Sequence, residues 1–155
     1  MKGSDKVIAG LNKLLTKELT SADMYFLHSR IYEDWGLTKL YTHIDGEKNH
    51  EGLHADMVVK RVLFLEGKPD IASREAFTVD LSVKAMLEQS LKYEVENQAQ
   101  LKDLIALCET ESDFETRSML GILLKDTEED HIKWIETQLS LISKIGEQNY
   151  HQSQM

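Results

Sequence analysis

Apolar residues recur at three- and four-residue steps in four separate stretches of the chain, the period of helices that bury one face. The first stretch runs Val7, Leu11, Leu14/Leu15, Leu19, Ala22, Phe26 and Ser29 and stops near Trp35-Gly36. The second carries Leu40, Ile44, Val58, Val62 and Leu65 and ends at Glu66-Gly67, with Pro69 just beyond. Gly past the last periodic residue and Pro after it form a stop signal. The third carries Leu87, Leu91, Leu101, Ile105 and Cys108, and the fourth Leu120, Leu124, Ile135, Ile142 and Ile145 before Gly146. Ser112-x-x-Glu115 reads as a capping box opening the fourth. Strand-like alternation is absent, apart from a short run at Phe77–Leu81. The pattern predicts four helices near 5–34, 38–65, 81–110 and 113–145,.

The connections suggest how the helices are arranged. Three or four residues around Gly36 join the first pair and about two around Glu111-Ser112 join the second. Such short links make antiparallel neighbours. Residues 66–80, holding the only proline, are long enough to run along a bundle as a crossover. The tail after Gly146 has room for one or two helical turns. One domain over 1–155 accounts for the whole chain, with no linker and no low-complexity segment,.

The apolar stripes have charged gaps. The inward series of the first helix (11, 14/15, 18, 22, 25/26) contains Glu18, and that of the second (44, 47, 51, 54, 58) contains Glu51 and His54. The third (87, 91, 94, 98, 101) contains Glu94, and the fourth (124, 128, 131, 135) contains Glu128 and His131. An unpaired buried carboxylate costs several kcal/mol, so four of them need a common purpose. Counted from the turn at 36, Glu18 lies 18 residues back, with Glu51 and His54 15 and 18 forward. Counted from 111, Glu94 lies 17 back, with Glu128 and His131 17 and 20 forward. At about 1.5 Å per residue the six groups share one slab of the bundle.

Each hairpin therefore offers one Glu and, 33 or 34 residues later, a Glu-x-x-His. Glu-x-x-His sets both side chains on one helical face. Four Glu and two neutral His carry a charge of about −4, the complement of two divalent cations, and mixed imidazole and carboxylate donors suit iron, with manganese or zinc as competitors. This is the di-metal carboxylate pattern of helical bundles. His50, beside Glu47 and Glu51, is a candidate auxiliary contact, and Tyr25 could approach the site or belong to the core. His28 and His43 read as packing or surface groups, and Glu129 and Asp130 as solvated neighbours.

Composition narrows the class. The chain has 155 residues, 27 of them acidic and 18 basic, for a net charge of −9. An acidic excess argues against nucleic acid and against an anionic membrane surface, both of which call for clustered Lys and Arg. No apolar run approaches the length of a membrane span, and the opening segment lacks a signal core,. The lone Cys108 implies no disulfide, so the expected location is the cytoplasm,.

Over nearly its whole length the chain resembles the bacterioferritin family. The resemblance is carried by Met1-Lys2-Gly3, Leu11-Asn12-Lys13-Leu14-Leu15 with Glu18-Leu19, and Tyr25-Phe26-Leu27-His28-Ser29-Arg30. Further matches are Trp35-Gly36-Leu37, Glu51-x-x-His54-Ala55-Asp56, Leu63-Phe64-Leu65-Glu66-Gly67, Glu128-Glu129-Asp130-His131 and Gly146-x-x-Asn149-Tyr150. It implies an all-α, ferritin-like four-helix bundle with a long crossover and a short fifth C-terminal helix. It also implies a ferroxidase centre of Glu18, Glu51, His54, Glu94, Glu128 and His131, with Glu51 and Glu128 bridging two irons. Implied too is a homo-oligomeric 24-subunit shell that oxidises Fe(II) with O₂ or H₂O₂ and stores the ferric mineral.

The resemblance departs at two places, one of them the inner-surface iron site that some members build from a His and an Asp on the second helix, which here falls at Gly46 and His50. Haem-binding members carry Met immediately after the bridging Glu of the second helix, where this chain has Gly52, and Met57 lies about 140° away around the helix,. Haem b is therefore doubtful in a homopolymer. Co-assembly with a haem-binding bacterioferritin subunit and a ferredoxin-type electron donor remain open. The alternative is a non-storage di-metal oxidase or peroxidase of the same superfamily, and a third reading is a helical interaction module that binds no iron.

Overall fold

A computed structural model describes all 155 residues. It is all-α: α1 (Asp5–Asp34), α2 (Thr38–Phe64), α3 (Val83–Thr110), α4 (Phe114–Asp126), a π-helical segment (Thr127–Ile132), α5 (Lys133–Ile145) and α6 (Glu147–Gln154). The π segment continues α4 into α5 as one rod, so four long rods form a bundle and α6 is the short fifth helix. No helix is long and apolar enough to cross a membrane.

The ends of the elements follow local chemistry. Ser4 caps α1 by accepting from the Val7 amide, and Gly36 turns α1 into α2 at φ +73°, a conformation only glycine adopts without cost,. The expected capping box at Ser112-x-x-Glu115 is not formed. Ser112 sits at φ +57°, in the left-handed region that closes α3, and the Asp113 amide reaches back to the Cys108 carbonyl at 2.8 Å,. With Ser112 used for that turn, Asp113 becomes the cap and accepts from the Thr116 amide at 3.0 Å. The short alternation at Phe77–Leu81 makes no strand, and the chain has no other extended segment in a sheet for it to join.

The crossover is tied to α1 along its course. Asn12 donates to the Lys68 carbonyl and accepts from the Asp70 amide, Thr20 accepts from the Glu75 amide, and Arg74 pairs with Asp23. Lys17, almost fully buried, reaches Glu75 at 3.3 Å and Glu96 at 3.1 Å beneath the ring of Tyr93. These contacts bring α3 in from the end of the bundle where α1 finishes.

The core is split into two. One apolar cluster, including Leu11, Leu14, Val58, Val62, Leu104, Cys108 and Leu120, fills the end where α1 begins. A second, including Tyr32, Leu40, Met86, Leu87, Ile135, Ile142 and Tyr150, fills the opposite end, with α6 folded against it. Between them lies a polar layer. Phe26, expected in the apolar stripe, is half exposed and Tyr25 points inward instead; Ile145 is also largely exposed.

The fourth rod corrects a further expectation. Its buried face runs Leu120, Leu123, Thr127, His131, Ile135, Gln138 and Ile142, so Thr127 occupies the inward place expected for Glu128. Leu123 and Ile135 are twelve residues apart, which puts them about 120° apart on a regular helix and about 20° apart once one residue is taken up by a bulge. The π segment takes up that residue.

Candidate metal centre

Five of the six side chains expected at the centre meet in the polar layer. Glu18 is fully enclosed, and Glu51, His54, Glu94 and His131 are buried with it. They form two overlapping sets of potential ligands, Glu18–Glu51–His54 and Glu51–Glu94–His131, each with its donor atoms within 4.8 Å of one another. Glu51 belongs to both. In the first set His54 Nδ1 lies 3.5 Å from Glu18 Oε2 and 3.8 Å from Glu51 Oε2. In the second His131 Nδ1 lies 3.1 Å from Glu51 Oε1 and 3.2 Å from Glu94 Oε1.

The ring nitrogens turned away from the layer have carboxylates of their own. His54 Nε2 is 2.9 Å from Asp126 Oδ2, and His131 Nε2 is 2.6 Å from Glu47 Oε2. A carboxylate on one imidazole nitrogen fixes ring orientation and leaves the other nitrogen's lone pair for a metal. Asn97 donates to Glu18 Oε1, and the buried Tyr25 hydroxyl donates to Glu94 Oε1 at 2.6 Å. Burial first, and then the Glu94 charge, hold that phenol well above its ordinary pKa, so it stays protonated,.

Burial and mutual contacts move the titrating groups of the layer far from their ordinary values. Burial, reinforced by Glu51, pushes the Glu18 carboxyl up to about 8, so Glu18 holds a proton at neutral pH. Burial alone would raise Glu51 too, but contacts with Glu18, His131 and His54 bring it below the usual carboxylate range. Burial would lower both imidazoles, yet Glu18 and Glu51 hold His54 up to about 11, and Glu47, Glu51 and Glu94 raise His131 further still. Protons thus stand where positive charge is needed.

They are imperfect substitutes. Glu18 Oε2, both Glu51 oxygens, His54 Nδ1, Glu94 Oε2 and His131 Nδ1 are buried without a hydrogen bond. Buried polar atoms are nearly always hydrogen-bonded, so a cluster of orphans converging on one layer fits ligands aimed at cations. Oxygen and imidazole donors together suit iron, zinc or manganese.

Glu128 does not join the layer. It is half-buried, and its Oε2 accepts from Gln98 at 2.8 Å, because the π segment carries Thr127 inward in its stead. His50 lies at the edge, grouped with Glu47 and His131. Glu47 and Asp126 were not singled out as functional from the sequence, although Glu47 stands in the inward series 44, 47, 51, 54, 58 and could have been found there. Asp126 borders the buried face and carries no comparable signal.

Comparison with known proteins bears on this arrangement. The ferritin-like domain family matches residues 8–145. A bacterial ferritin of Synechocystis sp. is 51% identical over 155 residues, covering 100% of this chain and 99% of the relative. A bacterial ferritin of Pseudomonas aeruginosa is 47% identical with both chains covered in full, and a bacterioferritin of Brucella melitensis is 39% identical over 98% of this chain and 94% of the relative.

Proposed function

The chain belongs to the ferritin-like family, and from that premise we propose that it is an iron-storage ferroxidase, oxidising Fe(II) to Fe(III) with O₂ or peroxide at an intrachain two-metal centre. The layer of buried, hydrogen-bond-free donors on Glu18, Glu51, His54, Glu94 and His131 carries this reading. A pair of ferrous ions held there supplies two electrons, one from each ion, to the oxidant.

The side chains divide the work. In this reading Glu51, common to both sets, bridges, while Glu18 and Glu94 serve one ion each. His54 and His131 offer Nδ1, steered by Asp126 and Glu47 at the other ring nitrogen. Glu128 supplies the sixth ligand and second bridge once it leaves Gln98. Loading the site displaces protons from Glu18 and the imidazoles, which exchanges one set of positive charges for another. Tyr25 fixes Glu94 through its hydroxyl.

Storage follows from the family and from the names of the relatives, bacterial ferritin and bacterioferritin. In this proposal the chain works in the cytoplasm as a single domain of 1–155, assembled into a 24-subunit homo-oligomer. The large apolar side chains left exposed on α1 and α2, Phe26, Leu53, Leu63 and Phe64, support self-association,. Gly52 leaves open space where a thioether would be needed for haem.

Fe(II) added in air to the purified chain tests both halves of the reading. The expected result is rapid ferric formation and a large assembly that elutes with its iron. Oxidation no faster than in buffer overturns the ferroxidase, and rapid oxidation by a small oligomer that keeps no mineral overturns storage.

A further inference from the structure

The carboxylates of the centre differ in how their two oxygens are used. Glu51 turns one oxygen to each half, Oε2 to His54 at 3.8 Å and Oε1 to His131 at 3.1 Å. At Glu94 the Tyr25 hydroxyl and His131 Nδ1 converge on the same oxygen, Oε1. Glu18 divides its pair: Oε2 turns to His54 at 3.5 Å and makes no hydrogen bond, whereas Oε1 accepts from Asn97 Nδ2 at 3.3 Å. Asn97 stands on α3 one turn beyond Glu94 and is 1% exposed. That hydrogen bond is the only one its side chain makes, and its Oδ1 is buried without a partner. An apolar side chain here would leave no polar atom unpaired, so the amide answers to Glu18 and not to the packing of the core. A metal-bound Glu18 is ionised and only accepts, which fixes the amide nitrogen as the group turned towards it.

We propose that Asn97 is a positioning residue of the centre: by occupying Glu18 Oε1 it limits Glu18 to one coordinating oxygen, Oε2. A carboxylate binds an ion through one oxygen or through both. With Glu18 held to one, the ion it shares with Glu51 and His54 keeps a coordination position for the oxidant, as catalytic metal sites do. Without the amide, Oε1 turns onto the same ion and takes that position, so the ion is held no less tightly and reacts more slowly. Glu94 Oε2 carries no such partner, and the control therefore acts on one ion of the pair.

This role rests on the two-metal reading and adds to it the way one ligand coordinates. The test compares the full chain with Asn97→Leu and Asn97→Ala. Crystals soaked in Zn(II) should show Glu18 bound through Oε2 alone in the unaltered chain and through both oxygens in the variants. The visible bands of bound Co(II) weaken as its coordination number rises, so the variants should absorb less at equal occupancy. With Fe(II), their maximal oxidation rate should fall about tenfold, while the half-saturating Fe(II) concentration stays the same or drops. A role in packing alone would lower the urea midpoint and leave the bands and the Fe(II) dependence unmoved. Glu18 bound through one oxygen in both variants, with unchanged bands, overturns the role of Asn97 and leaves the centre standing. No zinc beside Glu51 in the unaltered chain overturns the centre, and this role with it.

Discussion

The two hairpins carry the same sequence pattern and build different halves of the centre. In the first, Glu51 and His54 sit on an uninterrupted α-helix, and both face Glu18. In the second, Glu128 and His131 sit on the π segment; His131 faces Glu94, while Glu128 turns to Gln98. Their outer partners differ as well. Asp126, which holds His54, is over a third exposed, whereas Glu47, which holds His131, is 9% exposed. The two outer partners are exchanged between hairpins: Asp126 comes from the second to hold a histidine of the first, and Glu47 does the reverse. A repeat in sequence thus sets which residues are available, and the helix geometry beneath each copy decides which of them meet.

That contrast can be broken or sharpened by experiment. Glu51→Gln strikes both halves, because both ligand sets share this carboxylate. Its Fe(II) oxidation rate should fall about 100-fold or more, the scale of losing a charged group that contacts the reacting atoms. A variant that keeps one half working would show the two sets to be independent.

The next largest effect concerns stability. His28 is buried without a carboxylate partner, against Ser90, and burial lowers its pKa to about 4 from 6.5. The unfolded chain takes up that proton near pH 6.5 and the folded chain only near 4. His28 by itself should therefore cost about 2–3 kcal/mol of stability as pH drops through this window, while Glu18, with its carboxyl raised to about 8, works in the opposite direction,. Urea denaturation of the metal-free protein between pH 7 and 4 reads the histidine's share as the difference between the unaltered chain and His28→Gln, the variant losing less stability on acidification. An unchanged slope in the variant would place the titrating group elsewhere.

Removing the outer carboxylates comes third. Asp126→Ala and Glu47→Ala should each weaken metal binding in its own half by roughly 10- to 100-fold. Glu47→Ala should cost more, since the group it leaves unpaired is more deeply enclosed. Calorimetry with Co(II) ranks them, and equal losses would make the difference in burial irrelevant. The smallest effect belongs to Gln98→Ala. By releasing Glu128 it should tighten binding in the second half a few-fold and leave the first untouched, and weaker binding would assign Gln98 a supporting role.

Much of this was legible in the residues. The helices fall within about two residues of the expected bounds, because apolar period and Gly/Pro punctuation report directly on which faces are buried and where the backbone stops. Glu18, Glu51, His54, Glu94 and His131 were legible for the same reason, as charges standing in apolar stripes. Glu128 stands outside the layer because the pattern was read on a straight helix, and one extra residue in the rod moves the inward face from 124 and 128 to 123 and 127. Asp126 left no trace, since a carboxylate on the border of a stripe looks like any solvated one. Ser112 looked like a cap because a side-chain motif says nothing of the left-handed turn that consumes it.

The π segment also has a consequence for insertions and deletions. An α-helix absorbs a single inserted residue as a local bulge, while the turns on either side keep their facing. Taking one residue such as Glu129 back out would let α4 and α5 join as a regular helix, with Leu123 and Ile135 still directed at their present neighbours. The bundle would survive such a deletion and His131, four residues before Ile135, would keep its inward face, but Glu128 would then lie two residues from it, about 200° around the helix. In this chain one codon decides whether Glu128 and His131 stand on the same side of their helix.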